Sequence, residues 1–266
     1  MDAHARDARR ADLVRIRAAL LEAAAVLRRF RPEMVAVRYK TATSPVTEAD
    51  EAADAVLRRA LLARGEGWLS EETPDDPARL ACRRVWVVDP LDGTREFLAG
   101  VDEWCVAVGL VEDGRAVAGG IYNPRRDEMV LGARGLGVAL NGRPVRASAR
   151  TALEGATVLV SRWALRRAAG RRLLGRGFRV VPVGPVAYAL ALVAAGRADA
   201  MWSRSAKPEW DVAAGAALVL AAGGHAATWE GGPLRFNRWP PRVPGIVACG
   251  RGLVRAVRAV TAEVRA

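Results

Sequence analysis

The sequence predicts an α/β (α+β) protein built of layered sheets covered by helices. Runs of short apolar segments punctuated by Gly, Pro, Asn and Asp fill the N-terminal half and read as strands and hairpins. Segments of strand and helix character alternate in the C-terminal half. Two of the C-terminal helical segments are apolar and read as buried helices. The change in pattern gives a soft boundary near Arg150, between residues 1–150 and residues 151–266.

The elements follow in order. Residues 11–30 set Leu13, Ile16, Leu20 and Leu27 on one helical stripe, with arginines on the other faces. His4 precedes this helix, on a tail expected to fray. A second helix is predicted from about Glu48 to Ala63. Thr47 suits its N-cap and Glu48, Asp50 and Glu51 its first turn; Gly65 and Gly67 break the chain after it. Arg84 to Val88 reads as a buried strand running into Asp89-Pro90. Glu103–Val111 and Ala116–Tyr122 read as strands joined at Glu112-Asp113-Gly114. Met129–Ala133 and Gly137–Leu140 form another pair, followed by a tight Asn141-Gly142 turn. Thr157–Val160 and Phe178–Val181 are strands, with an Arg-rich helix over Ala164–Leu174 between them. The buried helices are Pro185–Gly196 and Asp211–Ala222, the second ended by Gly223-Gly224. A short strand, Ala198–Trp202, lies between them, and a last helix spans about Leu253 to Val264.

A chain of 266 residues has ample length to bury a core, as one large domain or two packed subdomains. The net charge is +12 and almost all of the positive charge is Arg, since Lys occurs only at Lys40 and Lys207. Such charge can serve a nucleic-acid surface, can steer an anionic substrate, or can reflect general Arg usage. The arginines are scattered in small clusters (Arg58-Arg59, Arg83-Arg84, Arg166-Arg167, Arg171-Arg172), which argues against a dedicated nucleic-acid face. The 3 cysteines stand far apart without CxxC spacing, so neither a disulfide framework nor a zinc site is indicated. The N-terminus is charged from Asp2 onward and the longest apolar run, Val212 to Gly224, is too short for a bilayer. The expected location is cytoplasmic, without membrane insertion.

The strongest chemical signal is Asp89-Pro90-Leu91-Asp92-Gly93-Thr94, directly after a hydrophobic strand. Pro90 fixes one φ angle and Gly93 lets the backbone approach a ligand, so the turn can aim both acids at one point. Hard divalent cations take clustered carboxylate and carbonyl oxygens. The Thr94 hydroxyl is free to orient a water, and a helix starting there would point free amides at an anion. An acidic surface turn with an N-cap has the same composition, so the turn alone does not decide. Glu71-Glu72 sits on a predicted loop after Trp68-Leu69, where adjacent glutamates are ordinarily solvated. Asp211 opens an apolar helix and has the pattern of an N-cap; Asp50 has that of a first-turn acid. With only His4 and His225, histidine acid–base or zinc chemistry is poorly supplied. No G-x-S-x-G elbow or Walker A loop occurs. The glycines Gly132, Gly135 and Gly137 read as a hairpin loop rather than a dinucleotide site.

Taken together, these motifs resemble the inositol monophosphatase superfamily over essentially the whole chain. Thr47 to Asp50 resembles its T-x-x-D element, and Ser70-Glu71-Glu72 its S/G-E-E element. Trp86 to Thr94 resembles its W-[IV]-[IV]-D-P-[IL]-D-G-T signature, and Trp210 to Gly215 its W-D-x-A-[AG]-G element. The resemblance implies the layered αβαβα sandwich of the inositol monophosphatase / fructose-1,6-bisphosphatase type. Residues 1–150 would carry most metal ligands and residues 151–266 would close the active site. It implies Mg²⁺, two or three ions per site, on Glu71, Asp89, the Leu91 carbonyl, Asp92 and Asp211. Glu71, Thr94 and Asp50 would be catalytic, with Thr94 bonded to the attacking water and Asp50 behind it. Asp92, Gly93, Thr94, Arg95 and Asp211 would bind the substrate.

The implied activity is Mg²⁺-dependent phosphomonoester hydrolysis. Phosphate monoesters hydrolyse extremely slowly unaided. Divalent ions lower the pKa of a bound water and neutralise the phosphoryl oxygens. Gly93-Thr94-Arg95-Glu96-Phe97, Ser161-Arg162-Trp163 and Pro233 to Asn237 are similar to the 3′(2′),5′-bisphosphate nucleotidase branch. Arg95 can contact a second phosphate, although a solvated first-turn role suits it equally. The segment Ser203 to Pro208 is basic where inositol phosphatases carry an acid. The reading is conversion of adenosine 3′,5′-bisphosphate to AMP and phosphate. The alternatives are an inositol-1-phosphate phosphatase, a sugar bisphosphatase and, from another class, a non-catalytic Arg-rich nucleic-acid-binding domain. The expected partner is a small phosphorylated metabolite, with no stable nucleic-acid partner, and the chain acts as a monomer or homodimer.

Overall fold

The structure, a computed structural model, describes residues 3–41, 44–166 and 174–263. Helix α1 (Ala3–Leu27) leads through a short hairpin, β1 (Val37–Thr41) and β2 (Ser44–Thr47), into helix α2 (Glu48–Leu61). The buried stripe of α1 is Ile16, Leu20, Ala23, Ala24 and Leu27, at helical spacing. The helix begins well before that stripe, and His4 lies inside it rather than on a frayed tail. Ion pairs extend it: Arg9 bonds Asp12 at 3.0 Å and reaches Glu112, and Arg84 holds Asp12 at 2.6 Å and Glu112 at 2.6 Å. Helix α2 starts on a full capping box, with Thr47 at the N-cap and Asp50 reaching back to the Thr47 amide.

A seven-stranded sheet follows in near-sequential order. Its strands are β3 (Gly67–Ser70), β4 (Arg84–Asp92), β5 (Cys105–Glu112), β6 (Arg115–Asn123), β7 (Glu128–Ala133), β8 (Gly137–Leu140) and β9 (Arg143–Val145). All neighbours are antiparallel except β3 and β4, which run parallel. Strand β4 continues to Asp92 and pairs with β5 at both Asp89 and Asp92 across a break in register. The Asp-Pro-Leu-Asp stretch is therefore a bulged strand end rather than a free tight turn. Helix α3 (Thr94–Leu98) starts beyond Gly93.

The second sheet has five strands in the order β11-β10-β12-β16-β14. They are β10 (Thr157–Ser161), β11 (Arg179–Val183), β12 (Ala200–Ser203), β14 (His225–Ala227) and β16 (Ile246–Cys249). Strands β10, β11 and β12 are parallel, and β16 is antiparallel to its neighbours β12 and β14. A two-stranded ladder, β13 (Lys207–Pro208) with β15 (Arg242–Val243), stands apart. The helices are α4 (Arg162–Leu165), α5 (Val186–Ala194), α6 (Glu209–Ala221) and α7 (Val254–Glu263). Of the Arg-rich helix expected over Ala164–Leu174, residues 167–173 lie outside the described residues, and Leu174 is in a turn.

Side-chain alternation stacks these elements into five layers. On β4, Trp86 and Val88 face α1 and α2, while Val85 and Val87 face α5 and α6. On the second sheet, Met201, Ile246 and Ala248 face the same central helices, while Trp202, Val247 and Cys249 face α7. The order is helix pair, seven-stranded sheet, helix pair, five-stranded sheet, helix. The central helices are apolar on every side because both their neighbours are sheets. Helix α6 lies close against β5 and β6 at two glycines. A Cβ on Gly109 would stand 2.8 Å from the Ala214 amide nitrogen, and one on Gly119 would run into the Ala214 carbonyl.

Candidate active site

The N-terminal end of α6, the C-terminal ends of β3 and β4 and the start of α5 surround one cleft of about 740 Å³. A groove of about 830 Å³ lies elsewhere, against Leu13, Met129, Leu131 and Val138, and is mostly apolar. Chemistry rather than size distinguishes the two: Glu71, Asp89, Leu91, Asp92, Gly93, Thr94, Arg95 and Asp211 all line the first.

Each acid arrives by a different local route. Glu71 follows β3, and its amide donates to the Val88 carbonyl at 3.3 Å, so β3 pairs alongside β4 up to that point. Asp89 is buried on β4 and accepts the Leu91 amide at 3.0 Å. Asp92 accepts the Ala187 amide from the first turn of α5 at 2.7 Å. Asp211 sits in the first turn of α6, which opens at Glu209 with Pro208 as N-cap. The N-cap role expected for Asp211 is thus taken by the preceding proline, and the Asp211 carboxylate is left to the cleft. Carboxylate oxygens of Glu71, Asp89 and Asp211 all lie within 4.8 Å of one another. Asp92 lines the same cleft outside that tight group.

Thr94 and Asp50 meet as well. The Thr94 hydroxyl lies 3.1 Å from Asp50 Oδ1 and 3.2 Å from the Leu91 carbonyl, and donates its single proton to one of them. The Thr47 amide donates to Asp50 Oδ2 at 2.8 Å, and the Thr47 hydroxyl does so at 2.5 Å. Gly93 has φ +103, a conformation suited to glycine, and an added Cβ would stand 2.7 Å from Pro185 Cγ. Arg95 is exposed at the rim of the cleft.

Burial and mutual repulsion control the protonation of these acids. Asp89 is pushed well above the usual carboxylate range, first by burial and then by Glu71, Asp92 and Asp211. Burial and Asp211 push Asp92 up likewise, against the Ala187 amide. Asp211 rises to about 7 through burial and Glu71, while Lys207 and Arg242 pull it down. Asp50 is also raised, by burial, against the donors Thr47 and Thr94. Acids that raise one another in this way suit a divalent cation, whose charge removes the repulsion.

Family comparison agrees with this geometry. A model of the inositol monophosphatase family matches residues 8–263. The chain belongs to the inositol monophosphatase family. It is 34% identical over 234 residues to an inositol-1-monophosphatase of Rhizobium meliloti, covering 84% of this chain and 85% of that one. It is 35% identical over 232 residues to a 3′-phosphoadenosine 5′-phosphate phosphatase of Mycobacterium leprae, covering 80% and 82%. The extragenic suppressor protein SuhB of Bartonella henselae shares the fold at a TM-score of 0.84 and 29% identity, covering 94% of this chain and 98% of that one.

As a member of the inositol monophosphatase family, whose enzymes are generally metal-dependent, the chain is a phosphoric monoester hydrolase. Among the described residues no helix is long and apolar enough to cross a membrane. Several cleft features escaped sequence reasoning. Nothing local marks the Ala187 amide as a ligand of Asp92. Arg242 reaches the cleft only because β15 pairs with β13, beside Lys207. Arg162, in the Ser161-Arg162-Trp163 stretch that the sequence singles out, lines the cleft as well, and its hold by Glu96 at 2.8 Å and by Glu103 is the part without a local signal.

Proposed function

We propose that this inositol monophosphatase family member is a Mg²⁺-dependent phosphatase of adenosine 3′,5′-bisphosphate, releasing AMP and phosphate. The observation that carries the metal assignment is the approach of Glu71, Asp89 and Asp211 oxygens to within 4.8 Å of one another. Glu71, Asp89, Asp92, Asp211 and the Leu91 carbonyl would hold Mg²⁺, two or three ions per site. When bound, the metal supplies positive charge to the phosphoryl oxygens and acidifies a coordinated water. Asp50 accepts a hydrogen bond from the Thr94 hydroxyl, which turns the Thr94 lone pairs toward the cleft to receive a water O–H. Glu71, which lines the same cleft, would act as the base on that water. Glu71 takes a proton from that water as the water oxygen bonds to phosphorus and the phosphorus bond to the ribose oxygen breaks, and the ribose oxygen takes its proton from a second water.

A basic rim supports the bisphosphate. Arg95, Arg162, Lys207 and Arg242 line the cleft around the acids, and Glu96 and Glu103 hold Arg162 in place. Guanidinium forks suit phosphate oxygens. The 3′-phosphoadenosine 5′-phosphate phosphatase relative favours this substrate, while the inositol-1-monophosphatase relative keeps inositol 1-phosphate as the second reading. The test is phosphate release from adenosine 3′,5′-bisphosphate, inositol 1-phosphate and fructose 1,6-bisphosphate, each with and without Mg²⁺. The expected result is metal-dependent turnover highest on the nucleotide. Equal rates on all three would remove the substrate assignment, and full turnover by Asp92→Asn would remove the metal assignment.

A further inference from the structure

Beside the acid cage, and outside it, lies a buried polar network that the proposed chemistry does not use. Arg79 is 2% exposed and Glu209 is 0% exposed. The Glu209 carboxylate accepts the Asn237 amide at 2.7 Å and the Arg238 amide at 3.0 Å, one on each oxygen. Arg79 Nη1 donates to Asn237 Oδ1 at 2.7 Å, and Asn237 Nδ2 donates to the Arg79 carbonyl at 3.1 Å. The other guanidinium nitrogens bond Asp75, at 2.6 and 2.7 Å, and the Arg238 carbonyl, at 2.9 Å. Asn237 holds a left-handed backbone, with φ 57. A non-glycine residue keeps that conformation where its surroundings demand it.

The network joins two segments that each carry an acid of the cage. Arg79 and Asp75 belong to the segment that leaves the sheet at Glu71 and returns at β4. Glu209 is in the first turn of α6, two positions before Asp211. Asn237 and Arg238 are the bridge between them, far from both in sequence. No backbone pairing ties β3 to α6 directly, because the sheet partner of β3 is β4. The polar bridge therefore bears on the separation of Glu71 from Asp211. We propose that Arg79, Asn237 and Glu209 form a clamp of positioning residues that fixes this separation and so sets affinity for the cation. This rests on the reading of Glu71, Asp89 and Asp211 as the cation site.

Outer groups that orient metal ligands carry roughly tenfold to a hundredfold of metal affinity. The test uses the full chain carrying Arg79→Met, Arg79→Lys, Asn237→Ala and Asn237→Gly. Asn237→Gly accepts the left-handed backbone and removes only the side-chain bridge, so it carries the test if the arginine variants do not fold. Binding of Mg²⁺ alone is read by calorimetry, and the melting temperature is read with chelator and with saturating Mg²⁺. The Mg²⁺ concentration for half-maximal phosphate release is read separately from kcat. The expected result for Asn237→Gly is a Mg²⁺ affinity at least tenfold weaker, a raised half-saturating Mg²⁺ concentration, and kcat at saturating metal within a few-fold of wild type. Unchanged Mg²⁺ affinity alongside a lowered melting temperature would mean that the network only stabilises the fold, and would overturn the clamp. If the wild-type chain itself binds no Mg²⁺, the cation site fails, a result distinct from clamp variants that bind it normally.

Discussion

Gly109→Ala probes how the sheet positions Asp211. Gly109 pairs with Val87 of β4 and with Gly119 of β6, beneath the first turns of α6. An added methyl would stand 2.8 Å from the Ala214 amide nitrogen and 3.1 Å from the Ala213 carbonyl carbon and Cβ. Ordinary contact begins near 3.4 Å, so α6 must retreat by about 0.6 Å, since helix backbone cannot rotate aside as a side chain does. Overfilling of this kind costs about 1–3 kcal/mol. Asp211 rides on the same helix, so its oxygens move away from Glu71 and Asp89. Misplacement by ~1 Å can cost ~100-fold in rate, and a shift of about 0.6 Å predicts a loss on the order of tenfold. Denaturant unfolding measures the first effect and Mg²⁺-dependent phosphate release the second. Gly232→Ala is the control, because the nearest atom to its added methyl is Thr228 Oγ1 at 3.5 Å. Wild-type stability and activity in Gly109→Ala would refute direct helix-on-sheet positioning of Asp211.

Three further outcomes follow from the same structure. Asp50→Asn leaves Thr94 without its carboxylate acceptor; kcat is predicted to fall by roughly 10- to 100-fold while the half-saturating Mg²⁺ concentration stays put, and a matched rise in that concentration would place Asp50 in the metal site instead. Glu66 and Glu112 are held below the usual carboxylate range by Arg15, Trp86, Arg9 and Arg84, against the opposing effect of burial. Because their folded pKa values are depressed, their stabilisation is present above the unfolded carboxylate range and is lost as pH falls through the depressed values. Arg84→Met is therefore predicted to flatten the melting temperature against pH below about pH 4.5, and an unchanged acid limb would contradict that linkage. Saturating Mg²⁺ at ~100-fold its dissociation constant is predicted to stabilise the chain by about 2.7 kcal/mol, which chelator reverses; a metal-independent melting temperature would oppose a resident cation.

The parts legible in the sequence are those whose signal is local. The Asp89 to Thr94 run shows two acids gathered after an apolar strand, although it reads as a tight turn and forms a bulged strand end, and Thr47 shows as the N-cap with Asp50 in the first turn. The two apolar helices read as buried, and the structure places them between the two sheets, where a helix can dispense with a polar face. What stayed hidden depends on partners distant in the chain. Strand β3 is a fully buried four-residue segment, Gly67–Ser70, with no alternation to read. The early turns of α1 lack an apolar stripe and are held by Arg84 and Glu112, which no window around residue 9 contains. Asp211 looked like a helix cap because the role of Pro208 depends on the approach of the segment around Pro241, whose carbonyl accepts the Glu209 amide at 3.0 Å.

The carboxylates divide into two electrostatic populations that do opposite things. Asp12, Glu66 and Glu112 are threaded between Arg9, Arg15 and Arg84 and fasten α1 to the sheet. Asp89, Asp92 and Asp211 face one another instead, and burial pushes all three up. The difference is not a shortage of arginine, for the chain carries a net charge of +12. Positive groups stand around the cleft at Arg95, Arg162, Lys207 and Arg242, and the pull of Lys207 and Arg242 on Asp211 leaves its pKa still raised. A guanidinium placed within the cage would lower the repulsion permanently and leave nothing for a cation to relieve. Keeping the acids unquenched in a shielded cleft costs stability in the metal-free chain. A small divalent ion would relieve that repulsion, and the arginines and lysine around the cleft stand where an anionic substrate would meet them. The sign of charge thus alternates outward from the floor, acid then base, the order that the proposed binding of a cation and then a phosphate would use.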